Sequence, residues 1–389
     1  MKVSNKNIDL RKIDKSSWEN FRFTEIANKI SETVDPKKTK LKVYVGLEHL
    51  DTDDIHIRRK DTPNQVKGGK LRCLPGDVIF GKRRAYQRKA AIIDFDGICS
   101  AHSFIFRANS DVIYNKLFPF FLHSDQFMHR MIDISVGGLS PTINWSDLKD
   151  QKFLLPPKNR QKNILELLLS INEVIERERK LIELLELNYL SIIKMTFEHT
   201  KEYVALNEIK FDYFKGLTLE ENKDGKYSLI PSGAIFPRAI KEKKFKKINL
   251  KNEKDLNKIL INKDILFNTG GVGTLGRSHF FSNKNNLFVC DSFVMTLRFK
   301  DKNFLNKYIY HFFQSKQIQN QIVQFTKGTT GITSINIDGI KNFKIPKLNL
   351  KEQNNVVSKF DKIENLLNQI NSKIQLSKYL QKTLINKIF

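Results

Sequence analysis

Cysteine is scarce in this chain: Cys73, Cys99 and Cys290 form an odd, widely spaced set with no C-x-x-C pair. That argues against a disulfide framework and for free thiols in a reducing compartment. Long apolar runs are missing too. Nothing approaches the roughly 18 apolar residues of a membrane span, and the opening "MKVSNKNIDLRKIDKSS" has no apolar stretch that could serve as a signal peptide. A soluble, cytoplasmic protein is expected. Acidic residues are in deficit, 42 against 67 Lys plus Arg, for a formal net charge of +25 and a pI near 9.7. The balance points to a polyanionic partner, nucleic acid first and an anionic membrane surface second. A general bias toward Lys, Asn and Ile is the bland alternative.

Catalytic signatures are also lacking. "GGVGTLGRS" (270–278) fits G-x-G-x-x-G through Gly271, Gly273 and Gly276, and misses a P-loop because Arg277 stands where a lysine belongs. A dinucleotide fingerprint opens a helix inside a βαβ unit. This one runs into "HFFSNKNNLFVCDSF", which alternates and turns like strands, so the glycines are read as a hairpin-like loop that approaches something closely. No G-x-x-x-x-G-K-[ST] occurs, and the only Pro-Pro, in "LPPK" at 155–158, is not the [DN]-P-P-[YF] loop of an adenine methyltransferase. Glu242 with Lys244 is a nuclease-like fragment of the kind that arises by chance, and "CSAH" and His123 with His129 lack a second cluster at zinc spacing. Recognition without catalysis, metal or cofactor in this chain is expected.

What the chain does have is an internal duplication. "INWSDLKDQKFLLPPKNRQKNI" from Ile143 aligns with "INIDGIKNFKIPKLNLKEQNNV" from Ile335 at an offset of 192 that holds without a gap to Phe197 and Phe389, pairing Leu148 with Ile340 and Gln161 with Gln353. Upstream the offsets drift: "GDVIF" answers "KDILF" and Cys99 answers Cys290 at offsets of 187 and 191. A period this long is a duplicated domain, with variable globules and constant tails. The expected division is 1–157 and 200–349 for the globules, 158–199 and 350–389 for the tails.

The tails read as helices of about 38 residues, roughly 57 Å long. After Ile164 the seam is Leu168, Ile171, Ile175, Ile182 and Leu185, and in the second copy Phe360, Ile363, Leu367, Ile370 and Ile374, with no Pro or Gly from Lys158 to Phe197. An antiparallel pair with pseudo-twofold symmetry and a globule at each end would bury both seams; the alternative packs each helix only on its own globule. Charges cancel over 160–197, so most of the positive charge lies in the globules.

Each globule has short β-type runs, then a helical segment ("NKLFPFFLHSDQFMHRMI", "NKYIYHFFQSKQIQNQIV") and a Gly/Thr/Ser-rich loop. The fold class is α+β, with twisted, mostly antiparallel sheets. In "GKRRAYQRKA", Lys82, Arg83, Arg84, Arg88 and Lys89 surround Tyr86 and Gln87, a mixture suited to phosphates and base edges or to a merely solvated loop. Arg238, Lys243, Lys244, Gly271, Arg277 and His279 are the second-copy candidates. Ser140 and Thr142 in "GGLSPTIN", with Lys327, Thr329 and Thr330 in "KGTTGITSIN", occupy an equivalent site, as backbone contacts or as plain turns.

Two variable globules, each followed by a similar I-N…L…P-P…Q segment and a long helix, resemble the specificity subunit of type I restriction-modification systems. "GDVIFGKRRAYQRKA…GICSAHSF", "INWSDLKDQKFLLPPKNRQ" and "INIDGIKNFKIPKLNLKEQ" carry the match, which covers essentially the whole chain. Arg160 departs from the usual glutamate, kept as Glu352, and leaves the first helix cap open; Lys347 to Asn349 replaces a double proline. The resemblance implies that each globule reads half of a bipartite double-stranded DNA target. It further implies that the helices fix the spacer and dock two modification (methyltransferase) subunits, which restriction subunits join. S-adenosylmethionine, ATP and Mg would belong to those partners. The rival class is a non-DNA coiled-coil scaffold or membrane-surface adaptor.

Overall fold

The computed structural model describes residues 13–389 except 199, 284, 286 and 327–332. It divides into two compact units, Met1–Arg179 with Asn371–Phe389, and Lys180–Ile370. The division falls inside the two long helices, Lys158–Phe197 and Leu350–Ile388. Each unit is therefore a globule together with part of both helices.

In the first unit an antiparallel sheet has the order Ala27–Ile30, Ser103–Ala108, Val78–Gly81, Ala90–Ile92. A second sheet, Thr33–Val34, Lys70–Cys73, Gly97–Cys99, Tyr44–Val45, ends in a parallel pair. The strand Val78–Gly81 is buried throughout because its alternate side chains serve two cores. Val78 and Phe80 join Phe23, Phe106 and Phe127 under the helices, whereas Ile79 packs with Cys73, Cys99 and Ile105. That is why "DVIF" has no polar alternation.

The second unit repeats the plan. Its main sheet runs Phe211–Lys215, Val294–Phe299, Ile265–Asn268, Ser278–Phe280. Ile265 and Phe267 face the helix-side core, and Leu266 faces Cys290 and Val294. Asp77 and Asp264, both almost fully buried, accept paired hydrogen bonds from Arg107 (2.7 and 3.0 Å) and Arg298 (both 2.8 Å). Each of the two helical segments is broken by a serine, at Ser124 and Ser315, which caps the helix that follows.

Within each unit the long-helix segments are antiparallel. Ile164 and Leu168 share a core with Leu384, Ile385 and Ile388 in the first unit; in the second, Tyr189, Ile193 and Phe197 share one with Val356, Phe360 and Ile363. Leu168, Ile175, Phe360, Ile363, Ile370 and Ile374 are buried and Ile171, Ile182, Leu185 and Leu367 half-buried. Packing of each helix solely on its own globule is thereby excluded, since the end of the second helix lies in the first unit's core. The Arg160 departure also finds its explanation. Asn349 and Glu352 form a reciprocal capping box at 2.9 Å in both directions, whereas at the first helix Pro157 stands in the place of Asn349 and has neither a side-chain acceptor nor an amide hydrogen for a glutamate to bind.

Candidate nucleic-acid interface

The basic segment of the first unit is the loop of a β-hairpin between Val78–Gly81 and Ala90–Ile92. A single helical turn, Ala85–Gln87, sits between Arg84 and Arg88, both left-handed at φ 56° and 52°. A second loop, 136–142, closes on itself through Val136 and Thr142 (3.0 and 2.9 Å). The two are tied together. The Arg84 amide donates to the Pro141 carbonyl at 2.7 Å, the Ile143 amide to the Lys82 carbonyl at 2.9 Å, and the Arg84 guanidinium to Ser140 Oγ at 3.0 and 3.2 Å. Segments far apart in sequence thus form one surface. Arg83, Arg84 and Tyr86 are exposed on it, with Lys82, Gln87, Ser140 and Thr142 half-buried. Burial holds the Lys82 ammonium below its usual pKa, with a smaller push from Lys29.

The second unit builds the same junction. "GGVGTLGRS" begins in the hairpin loop between Ile265–Asn268 and Ser278–Phe280 and opens no helix. Gly271, Gly273 and Gly276 all have positive φ, and a Cβ on Gly276 would lie 2.7 Å from Ile322 Cδ1. The Ile335 amide donates to the Thr269 carbonyl at 2.9 Å, and Gly270 bridges Ser334. Lys327, Thr329 and Thr330 lie outside the described residues.

Several expected contact residues turn out to be engaged inside their units. Arg88 pairs with Asp53 (2.6 Å) and Asp125 (2.9 Å) and donates to the His123 carbonyl. Lys89 reaches the Leu47 carbonyl at 2.6 Å. Arg238 lies over the Tyr189 ring at 4.4 Å, 3.5 Å from Glu186, and Arg277 over Phe236 at 4.9 Å. His279 faces inward, and burial drives its pKa down to about 4. Lys244 donates to the Gly233 carbonyl while remaining exposed, as Lys243 is. Sequence position gave these residues to the surface; Arg88, Lys89 and Arg238 turn back toward carboxylates, a carbonyl and a ring of their own units, and His279 sits within the strand Ser278–Phe280.

Two features were not anticipated. His311, Asp361 and Glu364 gather ligand atoms within 4.8 Å of one another, but Lys307 ion-pairs with both carboxylates and already supplies a cation there. The helices also carry apolar side chains outside the seam. Leu181, Leu184, Leu187 and Leu190, 43 to 63% exposed, recur every third residue, and Leu376, Tyr379 and Leu380 are similarly open. The signal was present in "LIELLELNYL", where leucines exceed what one seam can bury.

Fold and loops together define a duplicated α+β module with one loop junction per copy. The chain belongs to the family described as the type I restriction modification DNA specificity domain, whose profile matches residues 15–187 and again 200–376. It is 25% identical over 168 residues to the EcoDI specificity subunit of Escherichia coli, covering 42% of this chain and 37% of that one. To the HindI specificity subunit of Haemophilus influenzae it is 20% identical over 196 residues, 47% and 41% of the two chains. The chain thus spans about two fifths of the length of these curated relatives. The crystal structure of a type I restriction-modification system S subunit from M. genitalium superposes with a TM-score of 0.56 at 14% identity, covering 97% of this chain and 98% of that one. A structure described under complex assembly and conformational transition of the type I R-M system gives 0.53 at 17% identity, covering 96% and 97%. These likenesses show the fold. No helix among the described residues is long and apolar enough to cross a membrane.

Proposed function

We propose that the chain is the DNA-recognition subunit of a type I restriction-modification complex, acting in the cytoplasm. Each unit reads one half of a two-part duplex sequence, and the lengths of the helices set the unspecified spacer. The observation that carries this reading is the repeated loop junction, which in the first unit holds Arg83, Arg84, Tyr86 and Gln87 together with Ser140 and Thr142. Guanidinium groups bind phosphates and fix register, while Tyr86 and Gln87 supply apolar and hydrogen-bonding contacts at base edges.

The chain itself is non-catalytic. Two modification subunits, which bind S-adenosylmethionine and methylate adenine, dock on the leucine faces of the helices, since exposed apolar rows of this length mark partner surfaces. Restriction subunits using ATP and Mg join that core. The test is to purify the chain with its modification partners and map methylated adenines. A two-part motif is expected, and inserting about two turns at matching points of both helices should change the spacer while sparing both half-sites. Methylation without such a motif would defeat the reading.

A further inference from the structure

Leu139 is 97% exposed, more than any other large apolar side chain among the described residues. A lone exposed leucine is ordinary on a protein surface; the setting of this one is not. It stands at the tip of loop 136–142, between Gly137, at φ 107°, and Ser140. The root of the loop is pinned by the Val136–Thr142 hydrogen bonds and by Arg84, through both its amide and its guanidinium. Exposed Arg83, Arg84 and Tyr86 share the same junction. The second unit independently presents Val272, 84% exposed, between Gly271 and Gly273 on its own pinned loop.

An apolar tip on a fixed root has nothing in its own unit to bury against. The guanidinium groups beside it bind phosphates, and the apolar surface that lies within reach of phosphates is the base stack. Resting on the DNA-reading function proposed above, we infer that Leu139 is a wedge. It enters the duplex at one base step of the half-site read by the first unit and partly unstacks it, as Leu, Ile, Met and Phe do in proteins that kink DNA. Arg83 and Arg84 hold the flanking phosphates. The wedge adds sequence preference without hydrogen bonds, because the cost of opening a step depends on its sequence and is least at pyrimidine–purine steps.

The test uses the full chain assembled with its modification subunits. The probe is a duplex carrying the two-part motif from methylation mapping, with 2-aminopurine placed in turn at each position except the methylated adenines, whose own extrusion would raise the signal. Binding should raise the fluorescence at one step of a single half-site. Leu139→Ala should remove that rise and weaken binding by about tenfold, as truncating an interface anchor does. Leu139→Met should keep both, and the response of the other half-site should not change. Because Leu139 is almost fully exposed, Leu139→Ala should melt with the wild-type chain, so its loss of signal is not a loss of fold. A bound wild-type complex with no rise, or a rise that survives Leu139→Ala, overturns the wedge and leaves DNA reading intact. A wild-type complex that does not bind the duplex overturns both.

Discussion

Gln317 donates its Nε2 hydrogen to the carbonyl of Phe197 at 2.9 Å, and Gln126 does the same for Phe389 at 3.0 Å. Phe197 also meets Phe312 edge to face with ring centroids 5.3 Å apart, as Phe389 meets Phe121 at 5.4 Å. The first long helix therefore begins among the residues of one unit and closes the aromatic core of the other, and the second helix does the reverse. Phe197→Ala should cost about 3–5 kcal/mol and should speed amide exchange in the second unit first. Phe389→Ala should do so in the first unit. Hydrogen exchange that loosens the same unit in both variants would contradict the crossed arrangement.

Arg83 and Arg84 separate from Arg88 by experiment as they do in structure. Replacing Arg83 and Arg84 with alanine should leave the melting temperature unchanged and reduce the slope of log affinity against log salt by about two, since each phosphate contact contributes about 0.9. Arg88→Ala should instead destabilise by about 1.5–3 kcal/mol, the range for hydrogen bonds to charged groups, and leave that slope nearly intact. Salt titration beside thermal melting checks both; an unchanged slope in the double variant would show that the loop faces away from DNA.

His279 links stability to pH. Its folded pKa of about 4, lowered by burial, lies below the usual 6.5. The unfolded chain thus takes up the proton first, and as pH falls the folded state loses ground between about 6.5 and about 4. His123 and His311 shift in the same direction, both through burial. His279→Asn should flatten the fall in unfolding free energy across that window, read from urea midpoints, by an amount on the order of 3 kcal/mol at its acid end. Parallel pH profiles of the variant and the wild type would show that the imidazole is protonated in place.

The two helix starts should respond differently to mutation. Glu352→Ala removes one arm of the Asn349–Glu352 box and should cost about 0.5–2 kcal/mol. Arg160→Glu should gain little, because Pro157 has neither a side-chain acceptor nor an amide hydrogen with which a glutamate at 160 could complete a box. Urea midpoints of the two variants give the comparison.

The duplication was legible because the tails must keep one geometry: the offset of 192 that pairs Gln161 with Gln353 marks two clamps with the same bonds. Gln161 accepts from the Tyr114 amide at 3.0 Å and donates to Val112 and Pro156; Gln353 accepts from Leu305 at 2.8 Å and donates to Asn303 and Leu348. Of the drift from 187 to 191 upstream, one residue falls in the hairpin loop and three in the connection that follows it to the next sheet. Basic composition put Arg83, Arg84, Arg88 and Lys89 in one class, because a linear chain does not tell which cations will find an internal carboxylate or carbonyl.

Local pattern and period by themselves determined two copies, two long helices with apolar seams, strands that read as continuous apolar runs, and an excess of positive charge in the globules. These depend on residue spacing and on side-chain transfer from water, both written along the chain. Only the tertiary structure decided that loops 82–89 and 136–142 form one surface, that Arg88 and His279 turn inward, and that each helix ends in the other unit's core. Those outcomes rest on contacts between residues tens to hundreds of positions apart, where closure of the backbone, and not the identity of any single residue, selects the partner.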